Sequence, residues 1–415
     1  MKRVLLECGG RSVLLVAMLA LSGESFSQVA PMSTITHPLS IGRHSMAALT
    51  DAEAGNIIAL GSQVLSQCNA TFRQQGSVTV VGTPSTVNSD ADMAAACNSA
   101  HIASDGGFEP LGVPRRVRVV NAINWCGNAG GGIIGCAYTP GQCMVVVRYS
   151  SSMEGILWAH EFGHSKGLPH RTDSGNAVMY PSIGGTHTVF TGQECAAIRQ
   201  LGFYAQITSE EANLSRVMSK APIEDFVAQA FVHGVPYDEA RLYSSADVAK
   251  VLPWLSDTGK MDYWANIAST VGIVADRGAY TVLTSMIGAS GSGTIPVADY
   301  RGRVSAIMAL GYAVRGSNDQ QARDFLEKHS SPSDWSGTKW QAPYHANTAE
   351  RDADLASAAV LGLSLANDTS ARQFLEGVAR RFVGDSIYER ALRQAIADSN
   401  RELEKREFPV RRRLW

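Results

Sequence analysis

The chain has 415 residues, enough for two or three domains, and 45% of them are hydrophobic, the proportion of an ordinary globular protein. A formal net charge of −2 excludes a global bias toward nucleic acid or anionic membrane. After the N-terminal apolar run no segment is long and apolar enough to span a bilayer, which takes about 20 residues, so no membrane span is expected in the mature chain.

In chain order, Lys2, Arg3 and Arg11 flank an apolar run from Val13 to Leu21, and the small residues Ser25 and Ser27 follow. This pattern predicts a secretory signal peptide over residues 1–27 and a secreted or periplasmic protein. Residues 28–48 are polar and read as a flexible lead or short pro-segment. Apolar spacing at Ala48, Ile57, Ile58, Leu60, Val64 and Leu65 predicts an amphipathic helix within Met46 to Cys68. Val- and Ile-rich alternation predicts strands over Ser77 to Gly82, Arg116 to Trp125 and Cys143 to Tyr149. Ser151 with Glu154 three residues on reads as a capping box that opens the next helix.

That helix carries the most informative stretch, His160-Glu161-Phe162-Gly163-His164-Ser165-Lys166-Gly167-Leu168-Pro169-His170. His160 and His164 lie one turn apart on one helix face, so both reach a single metal. Gly167 lets the chain leave the helix sharply, and His170 swings back as third ligand. Glu161, beside the first ligand but not itself needed as one, is the general base, and then the acid toward the leaving amine. Three imidazoles with an open fourth position describe a catalytic zinc site for one ion.

Asn176-Ala177-Val178-Met179-Tyr180-Pro181 follows, and then Phe190-Thr191-Gly192-Gln193-Glu194. Extended zinc motif plus downstream Met resembles the metzincin metalloproteases, most closely their matrixin-like branch, with a pappalysin-like relative as the alternative. The resemblance covers roughly residues 110–203. It implies a twisted mixed sheet with a zinc helix and a peptidase acting on protein or peptide substrates. It also implies Met179 as a floor under the metal, and a wall of the S1′ pocket formed by Tyr180, Pro181 and Ile183. Ile133, Ile134, Gly135 and Ala137 would form a sheet edge bordering the cleft, onto which an extended peptide adds as a further strand. Three departures stand out: Arg171 follows the third His, the spacing from His170 to Met179 is slightly longer than in matrixins, and Tyr180 follows Met179 directly rather than after one residue. Structural calcium is common among such relatives, but no calcium loop is legible here.

Seven cysteines include Cys8 in the leader and six others, an even number that suggests disulfides in an exported chain. The expected pairs are Cys68–Cys97, Cys126–Cys136 and Cys143–Cys195. Beyond residue 205 cysteine disappears and helical periodicity takes over, so a peptidase domain over 49–206 and an all-α domain over 207–400 are expected, with a basic tail over 401–415. Gly272, Gly311 and Gly362 recur in similar helix pairs at intervals of 39 and 51, which weakly resembles HEAT or armadillo repeats. Such a surface takes protein partners. The expected fold is thus an α+β metzincin-type domain followed by helical repeats. The remaining histidines, His37, His44, His101, His187, His233, His329 and His345, are scattered and read as structural or exposed. The expected function is zinc-dependent endopeptidase; the alternative is a binding or adaptor protein whose helical domain carries the function.

Overall fold

The computed structural model describes residues 33–97, 114–199, 220–274, 278–289 and 291–407. The expected signal peptide and His101 lie outside them, as does the tail beyond 407. From Thr34 onward the chain forms one compact unit.

Its first half is a sheet with helices. The elements are β1 (Ile35–Arg43), α1 (Asp51–Leu65), β2 (Ala70–Gln74), β3 (Thr79–Val80), β4 (Thr86–Val87), α2 (Asp90–Ala96), β5 (Arg115–Val120), β6 (Ala122–Trp125), β7 (Ala129–Ile133), β8 (Gly135–Ala137), β9 (Cys143–Val147), α3 (Glu154–Ser165), β10 (Ser182–Ile183) and α4 (Gly192–Arg199). The main sheet runs β2-β1-β5-β9-β8, parallel except for β8, which pairs antiparallel with β9 at its end. β4, β6 and β7 form a second small sheet. The chain from β7 to β8 therefore serves two sheets in succession.

The expected lead over 28–48 is corrected by β1, which takes a place inside the main sheet with Leu39 and Ile41 buried. Its alternation is disguised by Pro38 and Gly42, both poor strand formers. The expected helix within 46–68 is α1, capped by Thr50: its hydroxyl accepts from Glu53 N–H and Glu53 Oε2 accepts from Thr50 N–H at 2.8 Å. The expected strand over 116–125 breaks at Asn121 into β5 and β6. The capping box at Ser151 does not form. Met153 stands at the start of α3, and the Glu154 carboxylate instead accepts from Arg148 Nε and Tyr149 N–H, each at 2.8 Å.

Two of the three expected disulfides are also corrected. Cys126–Cys136 forms, but Cys68 joins Cys195 and Cys97 joins Cys143. Pairing by nearness in sequence fails because α4 packs against the turn after α1, bringing Cys195 within 4.8 Å (Cα–Cα) of Cys68.

The second half contains α5 (Ile223–Val227), β11 (Ala230–Phe231), α6 (Tyr237–Ala240), α7 (Ser245–Val251), α8 (Trp264–Val274), α9 (Ala279–Ile287), β12 (Gly293–Thr294), α10 (Val297–Ser317), α11 (Gln320–Lys328), β13 (Trp340–Gln341), α12 (Thr348–Leu365), α13 (Thr369–Ala379) and α14 (Ile387–Glu407). Helices α8, α10 and α12 are each followed by a second helix, and they pack side by side. The recurrent glycines mark their crossings. A Cβ on Gly272 would lie 2.3 Å from the Ala309 carbonyl oxygen, and one on Gly311 would lie 1.8 Å from that of Gly362. Only glycine permits backbones this close.

Among the described residues, each of the two apolar clusters draws on both halves of the chain. Ala122, Trp125 and Ala129 of the β6–β7 hairpin belong to the helical apolar cluster, whereas Ala230 and Val232 belong to the cluster under the sheet. Trp125 Nε1–H donates to Asp398 on α14 at 3.0 Å, and Arg390 on the same helix pairs with buried Asp92 on α2 at 2.6 Å. Among the described residues no helix is long and apolar enough to cross a membrane.

Candidate metal centre

Every residue of α3 is buried: the helix packs against α1 and against β8 and β9 of the sheet, with Met179 from the following chain against its Gly163. Positions 160 and 164 share a face, and the two rings lie 4.7 Å apart. The helix ends where Gly167 adopts φ +86°, the left-handed conformation that glycine takes without strain. The reversal brings His170 back, with its Nε2 at 3.2 Å from His164 Nε2; His160 Nε2 is 3.1 Å from the same atom.

The contact between His160 and His164 is not a hydrogen bond. His160 Nδ1 lies 2.7 Å from the Val178 carbonyl and His164 Nδ1 lies 2.8 Å from the Leu168 carbonyl. A carbonyl only accepts, so both Nδ1 atoms carry the proton and both Nε2 atoms present bare lone pairs. Burial, followed by the neighbouring imidazoles, holds both rings well below their ordinary pKa, and His170 is lowered to about 3 by burial and then by His233. Converging neutral lone pairs repel one another unless a cation sits among them.

A fourth imidazole completes the group. The ligand atoms of His160, His164, His170 and His233 all lie within 4.8 Å of one another, and this group could hold a metal ion. His233 was read from sequence as structural or exposed. The structure corrects this by placing its ring 4.9–5.8 Å from the other three. No spacing rule could have found it, because it comes from the helical half of the chain.

Glu161 faces the same centre and is fully buried. Its Oε1 lies 3.4 Å from His233 Nε2, and neither carboxylate oxygen receives a hydrogen bond among the described residues. Burial raises its pKa, against the pull of His233. The β8 edge passes directly over it: a Cβ on Gly135 would lie 2.3 Å from Glu161 Oε1. A buried carboxylate beside four imidazoles, two of them with bare Nε2 lone pairs, is a donor set suited to a cation and a proton-carrying ligand.

The other expected site residues fall around this centre. Met179 is fully buried, and its Sδ would lie 2.3 Å from a Cβ on Gly163, so it packs beneath the α3 backbone. Tyr180 is half-buried beside His187 at 5.5 Å between ring centroids. Pro181 leads into β10, where Ile183 is buried. Ile133 and Ile134 are buried at the β7–β8 junction, and Ala137 ends β8 half-buried. Arg171, the departure after the third His, ties the region together: its N–H donates to Met179 O at 2.8 Å and its Nε pairs with Glu194 on α4 at 3.0 Å. His37 is buried against Phe162 at 4.7 Å, and His329 stacks on Phe325. His345 is buried beside Tyr300.

Compared with protein-family models the chain matches none, and no curated protein shows significant similarity to it.

Proposed function

We propose that the chain is an exported, metzincin-like zinc endopeptidase, in which His160, His164 and His170 hold the ion and Glu161 moves the proton. The observation that carries this reading is the convergence of three imidazole nitrogens beside a buried carboxylate that is not one of the ligands. Zinc bonds of about 2.0–2.1 Å in a tetrahedron set nitrogens about 3.3 Å apart. The closest pairs here are 3.1 and 3.2 Å apart. The donor set contains no thiolate, and imidazole suits zinc.

When bound, zinc would polarise the scissile carbonyl and acidify the attacking water. Glu161 accepts the water's proton and delivers it to the leaving amine. Its raised pKa moves the carboxyl toward the operating range of a shuttle, which favours both halves of that task. The β8 edge and the Pro181–Ile183 stretch form the two lips between which an extended peptide would lie. The three disulfides fit an oxidising compartment.

The test is cleavage-site profiling on a peptide library, using the purified chain and His233→Ala, each with and without a chelator. Glu161→Gln is then placed in the form that cuts. Expected are chelator-sensitive internal cuts, lost by about 10²- to 10⁴-fold in Glu161→Gln with zinc still near one per chain. No chelator-sensitive cut in either form refutes the proposal. One observation favours a second reading: His233 closes the ligand set at four, as in structural zinc sites, which would leave the helical half to carry a binding function.

A further inference from the structure

We propose that residues 230–234 are a built-in occupant of the substrate groove, with His233 as fourth metal ligand, so that the chain folds in a latent form. This rests on the peptidase reading above.

The segment bridges both lips. β11 pairs antiparallel with β10, Ser182 opposite Phe231 and Ile183 opposite Ala230, and Val232 N–H donates to Pro181 O at 3.0 Å. On the other side, Ile134 N–H and Gly135 N–H donate to Val232 O at 2.9 and 3.3 Å. These edge groups are ones an incoming peptide would have to use. Gly234 then turns away with φ +81°, so close to β7 that a Cβ would lie 3.0 Å from Gly131 O. The imidazole between these backbone contacts reaches the metal group, and its Nε2 has no hydrogen-bond partner among the described residues. An imidazole nitrogen there, within 4.8 Å of the ligand atoms of the other three histidines, stands where a catalytic site leaves room for water.

The anchoring is noncovalent. Phe231 packs on Phe226 at 5.1 Å in the helical cluster, while Ala230 and Val232 belong to the sheet cluster. Asn266 Nδ2–H donates to the carbonyls of Val227 and Gln229 at 3.0 and 2.7 Å, and Ser182 Oγ–H donates to Gln229 Oε1 at 3.0 Å. No cysteine follows Cys195, so no disulfide ties the segment into the groove. It holds by hydrogen bonds, packing and one ligand, and withdrawing it frees the lips and the fourth position together.

The experiment replaces the metal with cobalt(II) in the full chain and compares wild type, His233→Ala and Val232→Pro. The proline removes the N–H given to Pro181 without touching the imidazole. Circular dichroism checks that each variant is folded. In His233→Ala the visible cobalt bands are expected to shift and weaken as water replaces a nitrogen. Cleavage of the peptide library by the zinc forms is expected to rise about 10- to 100-fold in both variants, as for an open state populated at about 1–10% in the wild type. An unchanged cobalt spectrum in His233→Ala overturns the proposal. So does wild-type cleavage as fast as that of the variants, or cleavage that His233→Ala abolishes. A shifted spectrum with no cleavage in any form upholds His233 as the ligand and refutes the peptidase reading alone. If His233→Ala does not fold, Val232→Pro decides: unchanged cleavage overturns the proposal.

Discussion

Two glycine-to-alanine changes, each within a helix, should move stability in opposite directions. Alanine is favoured over glycine in a helix interior by about 0.8–1.0 kcal/mol. Gly55 lies in α1 on an exposed turn, and a Cβ there meets nothing within 4 Å. Gly55→Ala is therefore expected to stabilise by up to about 1 kcal/mol. At Gly311 the new Cβ would lie 1.8 Å from the Gly362 carbonyl oxygen and 2.7 Å from its carbon, where ordinary contact begins at 3.4 Å. The obstructing atoms are backbone, so no rotamer change relieves them, and the α10–α12 crossing must open by roughly 1.5 Å. Overpacking of this kind costs about 1–3 kcal/mol or more. A backbone overlap this deep falls at the upper end of that range, about 3 kcal/mol, so after the gain of about 1 kcal/mol in helix preference Gly311→Ala should destabilise by about 2 kcal/mol. The displacement also bears on the metal centre, because α10 carries Ser305, against which Gly131 of β7 packs with no room for a Cβ. Urea unfolding followed by circular dichroism measures the first effect, and retention of an added divalent metal ion against a competing chelator measures the second. A Gly311→Ala chain as stable as wild type would refute the claim that these glycines exist for helix contact.

Two further predictions concern the sheet half. Burial, with Lys166 and Arg115 nearby, lowers the His37 pKa to about 3 from an ordinary 6.5. As pH falls below about 6.5 the unfolded chain takes up a proton that the folded chain refuses until about 3, so stability declines across that window by about 1.4 kcal/mol per pH unit from this residue. His37→Phe should flatten the pH dependence of the urea midpoint between 7 and 4.5; identical slopes would contradict the assignment. The Cys68–Cys195 bridge spans 127 residues. Replacing both cysteines with serine should cost about 2–5 kcal/mol and loosen α4, and an unmoved midpoint would count against it.

Local information carried much of the first half. The α1 periodicity and the His160–His170 spacing are visible because the residues that act together lie within a turn or two, and the β5 and β9 runs because buried strands are apolar along their own length. The strand at 35–43 was missed because Pro38 and Gly42 interrupt its pattern, and its place inside the sheet depends on β2 and β5, which come later. The glycines at 272, 311 and 362 were legible as a recurrence, but their reason became visible only with the opposing backbones in place.

The sequence by itself determined three imidazoles, a neighbouring carboxylate and the glycine that folds the third imidazole back, because a helical turn and one left-handed residue suffice to bring them together. Only the tertiary structure decided the fourth. His233 lies 63 positions beyond His170, and nothing in its neighbours marks it. It reaches the centre because β10 and β11 pair and Ile134 and Gly135 bond to Val232. Contacts between distant segments are set by packing and backbone hydrogen bonding across the whole unit, which local spacing does not encode.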